Sequence, residues 1–132
     1  MEIIEYRTYR EEDILPLYAS VGWTAYTDAP DALRRGFEKS LLTLAAYEGK
    51  TLVGLARAGG DGETVVLVQD LLVFPQYQRL GVGTALLRAV MERFADVRQL
   101  QLVTDDTKKT LAFYHSLGLR ELSAFGCRGF MR

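Results

Sequence analysis

The spacing of apolar and polar residues predicts strands and helices that alternate along the chain. The clearest helix covers residues 82–94, where large apolar side chains recur on one face. A long apolar run over residues 64–74 predicts the strand before it, buried on both faces. Two further strands, over residues 41–48 and 51–58, flank the turn signal at residues 48–50 and predict a hairpin.

Shorter elements complete the pattern. They are a strand over 2–7, helices over 11–20 and 31–40, a strand over 98–103, a helix capped by Asp105 or Asp106 that runs through Leu117, and one or two closing strands over 121–130. Pro16 fits the first helix best if it lies in the first turn, and residues 21–30 form a loop. Because no repeat, linker or low-complexity tract is present, residues 1–132 are predicted to form one α/β domain.

The composition narrows the class of protein. A chain of 132 residues suits one domain with a sizeable core, and its net charge of −1 indicates neither a nucleic-acid nor a membrane partner. A single cysteine excludes an internal disulfide, and one cysteine with one histidine argues against a zinc site, so no metal is expected. The charged N-terminus and the lack of a run of about 18 apolar residues indicate a soluble protein, which we expect to be cytoplasmic.

Two glycines stand between the long strand and the clearest helix. Gly81 and Gly83 would let a ligand approach the backbone N–H groups that begin the helix, which is a site for phosphate. The dinucleotide fingerprint is absent, because Leu86 stands in place of its third glycine, and no Gly-Lys-Ser/Thr of a Walker loop follows. Alone, the glycine pair indicates a structural turn more often than a phosphate site.

A longer pattern surrounds the glycine pair. Residues 71–83 read L-x-V-x-P-x-Y-Q-x-x-G-x-G, and residues 113–119 read F-Y-x-x-x-G-L. At this separation the two patterns resemble the GNAT superfamily of N-acetyltransferases. The resemblance implies an α/β GNAT fold, with a mixed central sheet of six to seven strands splayed at the cofactor site and about four flanking helices. Residues 21–23 and 52–58 are similar to the small bacterial and plant chloroplast members, some of which acetylate arylalkylamines.

The resemblance also implies acetyl-CoA as the cofactor and assigns residues to it. Pantetheine would lie between two splayed strands, bonded to the backbone of Leu71 and Val73, and the pyrophosphate would cap the helix over residues 79–84. The implied cofactor-binding residues are Leu71, Leu72, Val73, Gln78, Arg79, Leu80, Gly81, Val82, Gly83, Thr84, Thr107, Thr110, Phe113 and Tyr114. Thr107 stands where many members carry asparagine, so its contact departs from the family pattern.

Tyr114 is the residue that the resemblance assigns to the departing CoA thiolate, as proton donor or as a group that orients the sulfur. Packing in the core is the alternative for this tyrosine. A base for the acceptor ammonium is harder to assign, because Leu67 stands where some members carry glutamate. Asp70, Asp105 and Asp106 are the further catalytic candidates. The alternative is an edge charge for Asp70 and helix capping for the other two.

Trp23 and Tyr26 lie in the loop that roofs the acceptor site in this family, so they are the substrate-binding candidates. Their rings suit a flat or cationic amine, and anchoring of the loop against the core is the alternative. The predicted function is direct transfer of an acetyl group from acetyl-CoA to a small primary amine, with an arylalkylamine as one candidate. A CoA-binding module without catalysis and a protein-lysine acetyltransferase stay open. Apolar residues around Phe125 and Phe130 allow a homodimer.

Overall fold

The computed structural model describes residues 1–132 and places a five-stranded sheet between two layers of helices. The strands are β1 (Glu2–Glu5), β2 (Leu42–Glu48), β3 (Thr51–Gly60), β4 (Val65–Val73) and β5 (Gln99–Leu102). They lie side by side in chain order, with β1 to β4 antiparallel and β5 parallel to β4. The helices are α1 (Glu11–Ser20), α2 (Thr24–Thr27), α3 (Pro30–Glu38), α4 (Val82–Arg93) and α5 (Lys108–Ser116). None of these helices is both long and apolar enough to span a membrane.

Each face of the sheet carries its own apolar core. The buried residues of α4 pack on one face, and those of α1 and α3 pack on the other. The α4 helix comes unusually close to the sheet at Gly54, where an added Cβ atom would lie 3.0 Å from both the carbonyl oxygen of Leu72 and a methyl group of Val82. This close packing holds the first turn of α4 beside the end of β4.

A β-bulge in β4 lies where the side chains of the strand change from one core to the other, and where β4 leaves β5. Asp70 pairs with Arg57 of β3 whereas Val68 pairs with Ala58, so Gln69 is an extra residue on β4. The extra residue reverses the alternation of side chains, so that Val68 faces α4 and Asp70 faces α1. The parallel pairing with β5 ends at Val68, and the last five residues of β4 have no neighbour on that side. The expectation that β4 is buried on both faces is wrong, because its buried and exposed residues alternate up to the bulge.

The C-terminal segment differs from the prediction. No strand forms over residues 121–130; a 3₁₀ turn covers Leu122–Phe125, and the residues after it are exposed. The sheet therefore has five strands rather than six to seven. The association of two copies through this segment stays a prediction.

Two helices also differ from expectation. The region predicted as a loop contains α2, which gives five helices instead of about four. Pro16 lies inside α1 rather than in its first turn. The proline removes the N–H donor for the carbonyl of Glu12, but both residues are exposed, so water hydrates that carbonyl and the helix continues.

Candidate active site

A cleft of about 1200 Å³ opens where β4 leaves β5. Its walls come from four places: the segment between α1 and α3, the end of β4, the first turn of α4, and the start of α5 with the loop before it. A pocket for one drug-sized ligand measures roughly 300–1,000 Å³. The cleft therefore has room for two reactants side by side.

The end of β4 presents free backbone groups to this cleft. Phe74 N–H donates to Val53 C=O over 2.9 Å, which turns the backbone of Phe74 toward β3. Because backbone groups alternate along a strand, Leu72 also faces β3, and Leu71 and Val73 face the open edge. The carbonyl of Val73 accepts a hydrogen bond from Gln78 Nε2 at 3.1 Å. Leu72 lines the cleft but, unlike Leu71 and Val73, directs its backbone groups toward β3.

The loop before α4 presents a row of free donors. None of the six backbone N–H groups from Arg79 to Thr84 makes a hydrogen bond within the protein. Two left-handed residues shape the row, Gly81 with φ 85° and Arg79 with φ 66°. A non-glycine residue in this conformation costs about 1–2 kcal/mol, so the surrounding structure must hold Arg79 there. N–H groups gathered at a helix N-terminus bind anions, and phosphate above all.

The predicted cofactor residues of the α4 region occupy different positions in this site. Gln78, Arg79, Gly81, Gly83 and Thr84 line the cleft. Val82 and Leu80 do not line it. The side chain of Val82, the first residue of α4, is buried in the core, and that of Leu80 is largely exposed to solvent. For these two residues only the backbone N–H belongs to the row of free donors.

Tyr114 and Phe113 reach the cleft from α5. Their rings meet edge to face at 5.0 Å, and Phe113 also lies beside Gly83, so α5 packs against the start of α4. Tyr114 is half-buried, and burial raises the pKa of its phenol above the ordinary value near 10. The hydroxyl therefore keeps its proton at neutral pH and is a hydrogen-bond donor toward the cleft.

Thr107, not an aspartate, is the N-cap residue of α5. The Thr107 hydroxyl accepts from the Thr110 N–H at 3.3 Å, so the prediction that Asp105 or Asp106 caps this helix is wrong. The same hydroxyl donates to Asp105 at 3.0 Å and lies 2.9 Å from the hydroxyl of Thr110. Hydrogen bonds from Thr110 and Thr107 lower the pKa of the Asp105 carboxyl, which makes it a weaker base. Asp106 is exposed and lies outside the cleft.

Trp23 and Tyr26 form the wall on the opposite side of the cleft. Their ring centroids lie 5.9 Å and 5.1 Å from that of Tyr18, which α1 holds in the core. Trp23 and Tyr26 lie 6.0 Å apart. These rings line the cleft and also anchor their segment to the core, so the anchoring alternative is confirmed and their binding of substrate stays a prediction.

Asp70 lies at the floor of the cleft and is 1% exposed. It is not an edge charge as the alternative reading had it. Its Oδ2 accepts from Tyr18 Oη at 2.7 Å and from Arg57 Nε at 2.8 Å, and its Oδ1 accepts from Tyr26 Oη at 2.9 Å. Burial raises the pKa of both tyrosines, so they remain protonated donors.

Sequence reasoning missed Tyr18 and Arg57. A signal for Arg57 was present, because it is the single charged residue in the apolar strand predicted over 51–58, and a buried charge requires a partner. Tyr18 gave no such signal, since a tyrosine on the apolar face of a helix packs in most cores without a polar role.

Comparison with known proteins identifies the family. The profile described as Acetyltransferase (GNAT) family matches residues 6–119. The chain belongs to the GNAT acetyltransferase family. Membership confirms the predicted resemblance to this family of acetyltransferases.

Individual GNAT proteins resemble the chain to different extents. A GNAT-family acetyltransferase from Streptococcus pneumoniae is 37% identical, with a TM-score of 0.90 over 99% of this chain and 96% of its own. The aminoglycoside N-acetyltransferase AAC(6')-Iy, in complex with the bisubstrate analogue CoA-S-monomethyl-acetylneamine, shares the fold with a TM-score of 0.77, 19% identity, and 99% and 95% coverage. GCN5-related N-acetyltransferase 2, chloroplastic, of Arabidopsis thaliana is 36% identical over 61% of this chain and 31% of its own length.

The chain spans about a third to three-fifths of the length of the curated relatives it matches. Plant relatives described as chloroplastic bear out the predicted likeness to chloroplast-type members. The cytoplasmic location stays a prediction.

Proposed function

We propose that the protein transfers an acetyl group from acetyl-CoA directly to a small primary amine. One observation carries the proposal: an open strand edge and six free N–H groups line the same cleft, which has room for a second reactant. The open edge suits an extended ligand with amide groups, as pantetheine is. The N–H row suits its pyrophosphate.

The chain's own residues supply the cofactor contacts in this proposal. The backbone of Leu71 and Val73 pairs with the pantetheine amides, as an added strand would. The N–H groups from Arg79 to Thr84 bind the pyrophosphate, and the positive end of the α4 dipole adds to that attraction. The charged side chains of Arg79 and Lys109 line the same half of the cleft and complement the phosphate charge.

The chemistry requires an uncharged amine beside the thioester. Its nitrogen attacks the carbonyl carbon, the C–N bond forms, the C–S bond breaks, and the nitrogen gives its proton to water. The leaving thiolate takes a hydrogen bond, and finally a proton, from the Tyr114 hydroxyl. No step uses a covalent intermediate on the protein, and the one cysteine, Cys127, lies outside the cleft.

The wall formed by Trp23 and Tyr26, here called the acceptor wall, favours a small amine with a flat apolar body as the substrate. Trp23 and Tyr26 offer ring surface, which attracts an ammonium or an aromatic group. The carboxylate on this side, Asp70, already pairs with Arg57, so the wall has no free negative charge for a polycation. This charge balance favours a monoamine such as an arylalkylamine over an aminoglycoside or a lysine-rich peptide.

The test is acetyl-CoA turnover with a panel of amines. We expect thiol release with 2-phenylethylamine, and slower release with neamine and with a lysine-containing peptide. Tyr114→Phe keeps the ring and removes the hydroxyl, so kcat is expected to fall about 100-fold. Calorimetry is expected to show an unchanged Kd for CoA. An unchanged kcat would remove the role assigned to this tyrosine.

A CoA-binding module without catalysis is the second candidate. It is favoured by the state of the two cleft carboxylates, because Asp70 already accepts from Tyr18, Tyr26 and Arg57, and Asp105 has a lowered pKa. Under this alternative, CoA and acetyl-CoA raise the Tm of the protein while no amine in the panel releases thiol. Thiol release above the uncatalysed rate with any of the amines excludes it.

A further inference from the structure

One buried carboxylate joins the two sides of the cleft. Tyr26 donates its hydroxyl proton to Asp70 Oδ1 at 2.9 Å, and the same hydroxyl accepts from Gln69 Nε2 at 3.2 Å. Tyr26 is therefore held by two consecutive residues of β4. Gln69 is the bulge residue, where β4 separates from β5. The acceptor wall is thus tied to β4 at the point where the cofactor edge begins.

The carboxylate itself is held firmly. Arg57 lies opposite Asp70 in the sheet and contacts Oδ2 through both Nε and Nη2, each at 2.8 Å. Tyr18 donates to the same oxygen at 2.7 Å. Arg57 in turn stacks 5.2 Å from the ring of Phe37 and donates to Ser40 Oγ at 3.3 Å. Donors from α1, α2 and β3 therefore fix the position of the carboxylate.

The α2 helix depends on this link. It has four residues, none of them buried, and its backbone hydrogen bonds are local. The Tyr26 hydroxyl makes the only side-chain hydrogen bonds from α2 to the sheet, to Asp70 and Gln69. Without them the wall would be held by apolar packing against the core around Tyr18 and by the backbone bond from Trp23 to Tyr18.

We propose that Asp70 is a positioning residue, whose buried carboxylate fastens the Trp23–Tyr26 wall to β4 and so sets the distance between acceptor and cofactor. The acceptor part of this inference rests on the proposed transfer to an amine. The fastening of the wall does not, because it is a property of the free protein. Tyr26→Phe tests it with least disturbance, since the ring stays and only the link is lost.

The matched control is Tyr9→Phe. The Tyr9 hydroxyl is buried without a hydrogen-bond partner, its ring packs 5.2 Å from Phe37 in the same core, and it lies outside the cleft. Both variants lose one phenol oxygen from the same side of the sheet. A difference between them therefore reports the bonds of Tyr26 to Asp70 and Gln69 rather than the loss of a hydroxyl.

Steady-state kinetics with 2-phenylethylamine as the probe acceptor gives the first readout. Tyr26→Phe is expected to raise the acceptor KM by about two- to tenfold, the effect of one hydrogen bond. The change in kcat is expected to be smaller, and the Kd for CoA unchanged. Tyr18→Phe, which loosens the carboxylate from behind, is expected to shift KM in the same direction, and Tyr9→Phe to shift neither constant.

Fluorescence gives a readout that needs no turnover. Trp23 is the only tryptophan of the chain and lies in the wall. Acrylamide quenching of Trp23 is expected to increase in Tyr26→Phe and not in Tyr9→Phe, even if no amine is acetylated and the proposed function fails. The inference is overturned if quenching in Tyr26→Phe equals wild type, or if KM and the CoA Kd rise together in that variant.

Discussion

The two halves of the cleft are built from different parts of the chain. The cofactor half consists of backbone groups without backbone partners, along the edge of β4, where Gln78 bonds the Val73 carbonyl, and in the row from Arg79 to Thr84. The acceptor half consists of side chains that already bond to one another, with Asp70 at the centre. Backbone donors suit any phosphate and any extended amide, whereas a closed side-chain network fixes one shape. The cofactor half therefore depends on backbone conformation, and the acceptor half on the identity of particular side chains.

The largest effect is expected when the side-chain network is broken. Asp70→Ala leaves Arg57, whose side chain is 11% exposed, without its counter-charge. Removing one partner of a buried ion pair costs about 3–5 kcal/mol, so urea unfolding is expected to show a loss of that size. Asp96→Ala is the control, because Asp96 is exposed and makes no ion pair. A loss below about 1 kcal/mol in Asp70→Ala would show that water reaches this site freely.

A second arm of the same experiment removes both charges. Arg57→Met combined with Asp70→Ala is expected to lose less stability than the sum of the two single changes, because no charge is left buried alone. Additive losses would contradict the close coupling that the 2.8 Å contacts indicate.

The pH dependence of kcat/KM tests whether the acceptor half of the cleft supplies a base for the amine. No histidine or cysteine lines the cleft, and its carboxylates are bonded. With an amine of pKa near 10, the uncharged, reactive fraction rises about tenfold for each unit of pH, so kcat/KM is expected to rise about 1,000-fold from pH 6 to pH 9. Burial raises the pKa of Tyr114, so its protonated form persists and no falling limb is expected in this range. A plateau below pH 8 would show a base supplied by the protein.

The smallest effect concerns the backbone half. Gly81 has φ 85°, so Gly81→Ala forces a side chain into the left-handed region at a cost of about 1–2 kcal/mol. If the N–H row moves to relieve this strain, the Kd for CoA is expected to rise about tenfold by calorimetry. Gly118→Ala is the matched control, because that glycine also has φ 85°, an added Cβ would meet open space there, and it lies outside the cleft. Equal effects of the two changes on the Kd for CoA would argue against a role for the backbone conformation at Gly81.

Much of the cofactor half could be predicted before the structure was known. The glycine pair, the strand before it and Tyr114 are close along the chain or lie in patterns of fixed spacing, and local chemistry governs them. The open backbone of Leu71 and Val73 agrees with the implied contacts, since strand alternation depends on the sequence alone once the register is known. Leu72 was among the implied cofactor-binding residues although its backbone faces β3, because that set did not distinguish residues by the direction of their backbone groups.

The side-chain contacts of the acceptor half could not be predicted from the sequence, for a physical reason. Asp70 meets Tyr18 and Tyr26 across 52 and 44 residues of sequence, and no local pattern encodes such contacts. The bulge at Gln69 decides that Asp70 faces α1, and a shift of one residue would have turned it to the other core. Asp105 was misjudged in a similar way, because capping by Thr107 rather than by an aspartate depends on where α5 begins.

The sequence by itself determined the order of most elements, the glycine loop before α4 and the family, because periodicity, turn residues and short motifs act over a few residues. Only the tertiary structure decided that β4 and β5 part at the bulge, that the closing strands do not form, and that Asp70 is paired rather than free. Those outcomes depend on which edges and charges meet in space, and burial in the sheet then makes each unpaired alternative costly.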